Sequence, residues 1–179
     1  MENVIELRNV SKSFKGFELK DVSISVKKGF VTGFIGGNGA GKSTTLKLIM
    51  NLLQPDSGEI TLFGLNYKQH EKEIKQRIGF VFDQNVFYEN LTLLEMKSLI
   101  APIYKNWDNA AFNHYVDMFE LPIKQRLSTF SKGMMMKASL AVALSHHPEL
   151  IIMDEPTSGL DPIFRRELLG VLRDIMHDG

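Results

Sequence analysis

Residues 36–44 read Gly36-Gly37-Asn38-Gly39-Ala40-Gly41-Lys42-Ser43-Thr44. The spacing Gly36-x-x-x-x-Gly41-Lys42-Ser43 is that of a loop that cradles phosphate groups. Phosphate oxygens are held there by backbone N–H groups turned inward, and glycine lets the chain approach closely and take left-handed torsions. Lys42 sets a point charge against the outer phosphates, and Ser43 offers a hydroxyl to Mg²⁺. The flanks agree with this. Phe30-Val31-Thr32-Gly33-Phe34-Ile35 reads as a buried strand entering the loop, and Thr44 to Leu53 as a helix leaving it. A helix N-terminus aimed at an anion adds its dipole to the site.

A second stretch, Leu150-Ile151-Ile152-Met153-Asp154-Glu155-Pro156-Thr157-Ser158-Gly159-Leu160-Asp161, completes the first. Its first four residues are apolar without alternation, the pattern of a strand buried on both faces. Asp154 then falls where such a strand would meet the phosphate loop. Its role would be to hold Mg²⁺ through water, completing the shell begun by Ser43. Glu155, one residue on, is placed to orient or deprotonate an attacking water. A phosphate loop followed by paired carboxylates points to binding and hydrolysis of a nucleoside triphosphate.

A third motif names a family. The order of the loop at 36–44, then Ser131-Lys132-Gly133-Met134, then Asp154 to Asp161 resembles the ATP-binding subunit of an ABC transporter across nearly the whole chain. The resemblance implies a P-loop NTPase (RecA-like) core and head-to-tail pairing of two such subunits, with the phosphate loop of one facing the signature of the other. It assigns Ser131 and Gly133, at the start of a helix over 132–145, to the γ-phosphate of the partner's ATP. It gives Asp161 a signalling role across the dimer. Phe14 matches the aromatic that stacks on adenine, against a plain core or surface aromatic, with Phe17 a competing candidate. Lys42 and Glu155 carry the catalysis, Gly36 to Thr44 the nucleotide, and ATP and Mg²⁺ are the implied ligands.

Departures from the family pattern are informative. The glutamine that usually follows the strand Ile78-Gly79-Phe80-Val81-Phe82 is replaced by Asp83, with Gln84 next. Either Asp83 takes over a Mg²⁺ or water contact, or the loop shifts by one and Gln84 serves. The spacing to Asn90-Leu91-Thr92 favours Asp83. The signature Phe130-Ser131-Lys132-Gly133-Met134 resembles that of small ABC-2-type bacterial exporters, including bacitracin-type systems. Gly37 stands where proline is common, which loosens the loop. The family's switch histidine belongs to a strand after the last helix, expected here over 162–177. His177 lies on that helix and reads as an ordinary C-terminal helix histidine. The chain is therefore expected to be incomplete at its C-terminus, and to bind ATP yet hydrolyse it poorly.

Composition bounds the remaining possibilities. The 179 residues suffice for one domain with a core. Lysine plus arginine equals aspartate plus glutamate at 21 each, which gives no general pull toward nucleic acid. There are no cysteines, so disulfides and thiolate metal sites are excluded. No signal peptide and no apolar run long enough to span a bilayer is evident. A transporter's membrane domain is then expected on another chain, with this one on the cytoplasmic face of a bacterial membrane.

The expected fold is α/β: a P-loop core with an N-terminal antiparallel β region and an inserted α-helical subdomain. Val4 to Val10 and Leu19 to Val26 read as the antiparallel strands, and Lys27-Lys28-Gly29 as a turn. Gln54 to Gly58 reads as a turn, Glu59 to Phe63 as a short strand, and Lys68 to Arg77 as a solvated helix. Helices are expected over 93–103, 108–119 and 132–145. Residues 1–179 form one ABC domain in this reading, with 1–84 and 146–179 the core and 85–145 the subdomain. Met135 and Met136 are expected to pack in the helix interface. Leu91 to Tyr104 corresponds to the family's contact with the membrane partner, with half of its apolar residues in the core.

The expected function is to power an exporter of a peptide, antibiotic or lipid-like cargo. The implied partners are a transmembrane permease subunit and a second ATP-binding subunit, identical or homologous. The alternatives are a soluble ABC-type ATPase acting on ribosomes or DNA, or an ATP-binding fragment without turnover. No heptad run of the kind that chromosome-type ATPases insert appears between Asp83 and Ser131.

Overall fold

From Ile5, apolar residues alternate along the first strand until Asn9, where the phase slips. Ile5 and Leu7 are buried, Asn9 takes a left-handed φ of 50°, and Val10 is buried next. An extra residue at a bulge keeps both halves of the strand facing one core. The computed structural model describes residues 2–82, 87–156, 166 and 168–173. Its chain divides into two compact units, Met1–Lys75 and Gln76–Gly179.

In the first unit, β1 (Asn3–Phe14) and β2 (Phe17–Lys27) form an antiparallel hairpin whose last pair is Phe14 and Phe17. β3 (Ser57–Leu62) pairs antiparallel with the other edge of β1, and β4 (Leu65–Asn66) follows it, giving the order β2-β1-β3-β4. Both expected strands are present and run longer than the sequence alone suggests. Helix α1 (Lys42–Ile49) begins two residues before the expected start and stops well short of Leu53. Asn51 ends it: with φ 57°, it lets Leu52 N–H reach the Lys47 carbonyl at 2.8 Å and its own N–H reach that of Leu48 at 3.1 Å. Helix α2 (Tyr67–Gln76) carries mixed charges on its solvent face and kinks at His70.

The strand expected over residues 30–35 is not formed. Those residues are irregular, with Val31 73% and Ile35 95% exposed. Among the described residues no strand pairs with them. An apolar run without a ladder partner or a covering face gains neither hydrogen bonds nor burial, so β propensity alone does not hold it extended.

The second unit is built on two parallel strands, β5 (Ile78–Val81) and β6 (Leu150–Met153), in register Ile78 to Leu150 and Val81 to Met153. Arg77 pins the start. Its carbonyl accepts from Glu149 and Leu150 N–H, and its guanidinium donates to both Glu149 carboxylate oxygens at 2.6 and 3.0 Å. In β6 only Ile152 is fully buried and its neighbours are half-buried, so the expected burial on both faces is partial.

Three helices supply the core beneath. α3 (Leu93–Ile100) starts with Thr92 and Glu95 capping each other, and α4 (Asn109–Met118) starts at Asp108, which accepts from Ala110 and Ala111 N–H. α5 (Lys132–Leu144) packs on β5. Gly79 permits that close approach: a Cβ there would sit 3.0 Å from Pro148 Cγ and 3.1 Å from the Ala143 carbonyl oxygen. Phe112, Leu93, Leu127, Leu140 and Val81 are buried at the centre, and Leu168, from the helical residues 168–173, joins them. Met136 is in this core, with Met134 and Met135 partly buried against it. On α3 and the 3-10 turn after it, Leu93 and Met96 point inward while Leu94, Leu99 and Ile103 are exposed.

Candidate functional site

The phosphate loop closes on its own lysine. Lys42 Nζ donates to the carbonyl oxygens of Gly36 at 2.8 Å and Gly37 at 3.1 Å, while Ala40 N–H reaches the Gly37 carbonyl at 3.2 Å. The chain therefore wraps around the ammonium and runs straight into α1. Gly41 occupies the N-cap position with φ 90°, and no side chain caps the helix there. Residues 37–40 are exposed, Gly41 is buried, Ser43 and Thr44 are half-buried, and Asn38 lies between the loop glycines. A Cβ on Gly41 would come within 2.9 Å of Leu19 Cδ1 and 3.1 Å of Phe17 Cζ. The start of β2 thus packs against the loop at a residue with neither a side chain nor right-handed torsions. A helix start that no side chain caps, beneath a glycine-rich turn, is the kind of terminus that suits a phosphate chain.

That packing separates the two aromatic candidates. Phe17 is half-buried against Gly41, whereas Phe14 is 43% exposed at the hairpin end. The two rings stand 6.2 Å apart, and the ammonium of Lys12 lies over the Phe14 ring at 5.9 Å. Phe14 is the one with a ring face to offer.

In the second unit, β6 delivers Asp154 and Glu155 to its C-terminal end, the end at which parallel sheets carry their ligand sites. Asp154 N–H donates to the Val81 carbonyl at 3.0 Å, which extends the ladder to the half-buried carboxylate residue. Glu155 is exposed and takes a left-handed φ of 46°. A non-glycine residue held there turns the chain sharply, so the two acids do not continue the strand's direction.

Ser131 is the N-cap of α5, its Oγ accepting from Met134 N–H at 3.2 Å, and Gly133 sits half-buried in the first turn. A cavity of about 360 Å³ opens beside that helix start, lined by Phe82, Glu89, Phe130, Ser131, Lys132 and Ser139 among others. Among the described residues no group of three His, Asp or Glu side chains could hold a metal ion. Ser43 and Asp154 are oxygen donors, the ligand type Mg²⁺ takes one or two at a time beside substrate phosphates. Asp83, Gln84 and Asp161 lie outside the described residues, as do Thr157 to Leu160 and His177.

A glycine loop opening a helix, two parallel strands and a capped signature helix together define a nucleotide-binding domain of the P-loop class. Comparison with known proteins makes the class specific. Residues 19–158 match the ABC transporter family, and the chain belongs to it. It is 36% identical over 172 residues to the ABC transporter ATP-binding protein YtrB of Bacillus subtilis (strain 168), covering 96% of this chain and 59% of that protein. It is 36% identical over 178 residues to the bacitracin transport ATP-binding protein BcrA of Bacillus licheniformis, covering 98% and 58%. The chain therefore spans about three-fifths of the length of these curated relatives. Among solved structures, an ATP-binding subunit of an ABC transporter superposes with a TM-score of 0.86 at 31% identity, covering 98% of this chain and 76% of that one. A dimeric ATP-binding cassette, MJ0796, in a post-hydrolysis state bound to ADP and phosphate, gives 0.84 at 26% identity, covering 97% and 83%. The fold is that of an ABC nucleotide-binding domain: a P-loop α/β core with an antiparallel β region and a helical subdomain.

Proposed function

We propose that this chain binds ATP at the loop 36–44 and hydrolyses it to drive a bacterial ABC exporter. The observation that carries the reading is the loop wrapped around Lys42 at the uncapped start of α1. Lys42 would set its charge on the outer phosphates, and the backbone of Gly39 to Thr44 would hold their oxygens. Ser43 and Asp154 would share Mg²⁺, with Asp83 or Gln84 adding a ligand; the ion supplies charge neutralisation on the phosphates. Glu155 would orient the attacking water and take its proton, and Phe14 would stack on adenine.

Head-to-tail pairing with a second ATP-binding subunit would bring Ser131, Gly133 and Asp161 to the partner's nucleotide. The anion would then meet the start of α5, whose N-cap is already a serine. A transmembrane permease is the second partner, and Leu94, Leu99 and Ile103 are the exposed apolar residues suited to meet it. The place of work is the cytoplasmic face of the membrane. The signature variants and the similarity to a bacitracin transport protein favour a peptide, antibiotic or lipid-like cargo. In this reading residues 1–84 and 146–179 act as the core of one domain, and 85–145 as its helical subdomain.

The test is ATP binding and turnover measured side by side, with Lys42→Ala and Glu155→Gln. Mg²⁺-dependent binding should vanish in Lys42→Ala, and turnover should vanish in Glu155→Gln with binding retained. Binding that survives Lys42→Ala would remove the loop from the site. Binding without turnover in the parent chain would favour the fragment reading over the ATPase.

A further inference from the structure

We propose that Asp56 is a positioning residue for nucleotide binding: it fixes Lys12 and the Ser13 backbone so that Phe14 keeps one ring face open to a base. The inference rests on the reading of Phe14 as the base platform. Three consecutive residues before Phe14 are tied to this one aspartate. Asp56 N–H donates to the Ser11 carbonyl at 2.9 Å, its Oδ1 accepts from Lys12 Nζ at 2.6 Å, and its Oδ2 accepts from Ser13 N–H at 2.8 Å.

An isolated surface ion pair positions little, because two long side chains share one loose contact. Here the second carboxylate oxygen holds a backbone N–H, so the contact fixes main chain as well as an ammonium. The Lys12 side chain is only 19% exposed. Lys12 donates to the Asp56 carboxylate, and Ser13 N–H donates to it as well. Both hold the carboxyl below its usual range and keep the acceptor charged at neutral pH.

The consequence falls on Phe14. An aromatic ring has two faces, and an ammonium over one of them leaves the other for a base. Phe14 stands at the turn end of the β1–β2 hairpin, next to an exposed loop tip of the kind that moves unless tied down. Asp56 supplies the tie from the turn that follows α1. The stretch that begins at the phosphate loop therefore ends by holding the base platform.

The experiment compares ATP with inorganic tripolyphosphate, which has the phosphates and no base. Both are titrated against the chain in Mg²⁺, in the parent and in Asp56→Ala, Phe14→Ala and the double variant. Asp56→Ala should weaken ATP by about fivefold or more, within the range of one base–aromatic stack, and leave tripolyphosphate unchanged. Phe14→Ala should do the same, and the double variant should bind ATP no more weakly than Phe14→Ala. Tripolyphosphate affinity also reports that the variant is folded. Equal loss for both ligands in Asp56→Ala would make the residue merely structural and overturn the proposal. So would unchanged ATP affinity in Asp56→Ala when Phe14→Ala weakens it. Unchanged ATP affinity in Phe14→Ala would instead overturn the platform reading beneath it.

Discussion

His146 shows how much one side chain can couple. It is 1% exposed, its Nε2 lies 3.1 Å from the Ile78 carbonyl on β5, and its ring stacks on Tyr104 at 3.8 Å. Burial pushes its pKa below the ordinary histidine value, the carbonyls of Ile78 and Val142 pull the other way, and the neighbouring His147 adds to the lowering. The folded state therefore prefers the neutral ring. Stability from this site is full above the unfolded pKa of about 6.5 and is lost as pH falls below it toward the depressed folded value. Urea midpoints should fall between pH 7.5 and pH 5, above the range where Asp108, held low by His147 and by the N–H groups it caps, and Glu95, held low by Thr92, begin to protonate. His146→Phe keeps a stacking ring and should flatten that slope. An unchanged slope would place the acid sensitivity elsewhere. Nothing in Ser145-His146-His147-Pro148 told these two histidines apart. One is buried on β5, and the other is exposed and pairs with Asp108 at 3.1 Å.

Elements that carry their own instructions were legible in the sequence, and those that need a distant partner were not. α3, α4 and α5 each begin at a residue whose side chain caps the helix, Thr92, Asp108 and Ser131, and all three were expected close to where they form. Residues 30–35 have strand composition but no local means of pairing, and they stay irregular. Asn51, which stops α1, was a readable signal, since asparagine tolerates left-handed torsions at a helix end. Gly79 lay beyond reach, because its need arises only when α5 and Pro148 pack on β5. Gly79→Val should cost about 1–3 kcal/mol, the range for overpacking, since backbone at Ala143 lines the space a side chain would take. Chemical denaturation followed by Trp107 fluorescence measures it. A variant as stable as the parent would show that α5 can lift from the strand without loss.

For the whole molecule, ligand binding and stability are linked. Formal charge is zero, so no broad field favours a polyanion, and recognition of phosphate falls to the fixed groups of the loop. The candidate site was legible there because every group that makes the loop lies within nine consecutive residues. The carboxylates and signature were legible as motifs, while their spacing from the loop is a property of the fold that no local pattern carries. If Lys42 and the start of α1 hold ATP in the folded chain and not in the unfolded one, ATP must stabilise the fold by RT ln(1 + [ATP]/Kd). At one hundred times Kd that is about 2.7 kcal/mol, and a chain of this size should melt about 5–10 °C higher. Lys42→Ala should show no such rise at the same ATP and Mg²⁺ concentrations. Thermal melts followed by far-ultraviolet circular dichroism read both chains. A rise of equal size in Lys42→Ala would mean that ATP binds away from the loop, and no rise in the parent would mean that the folded loop holds it no better than the unfolded chain does.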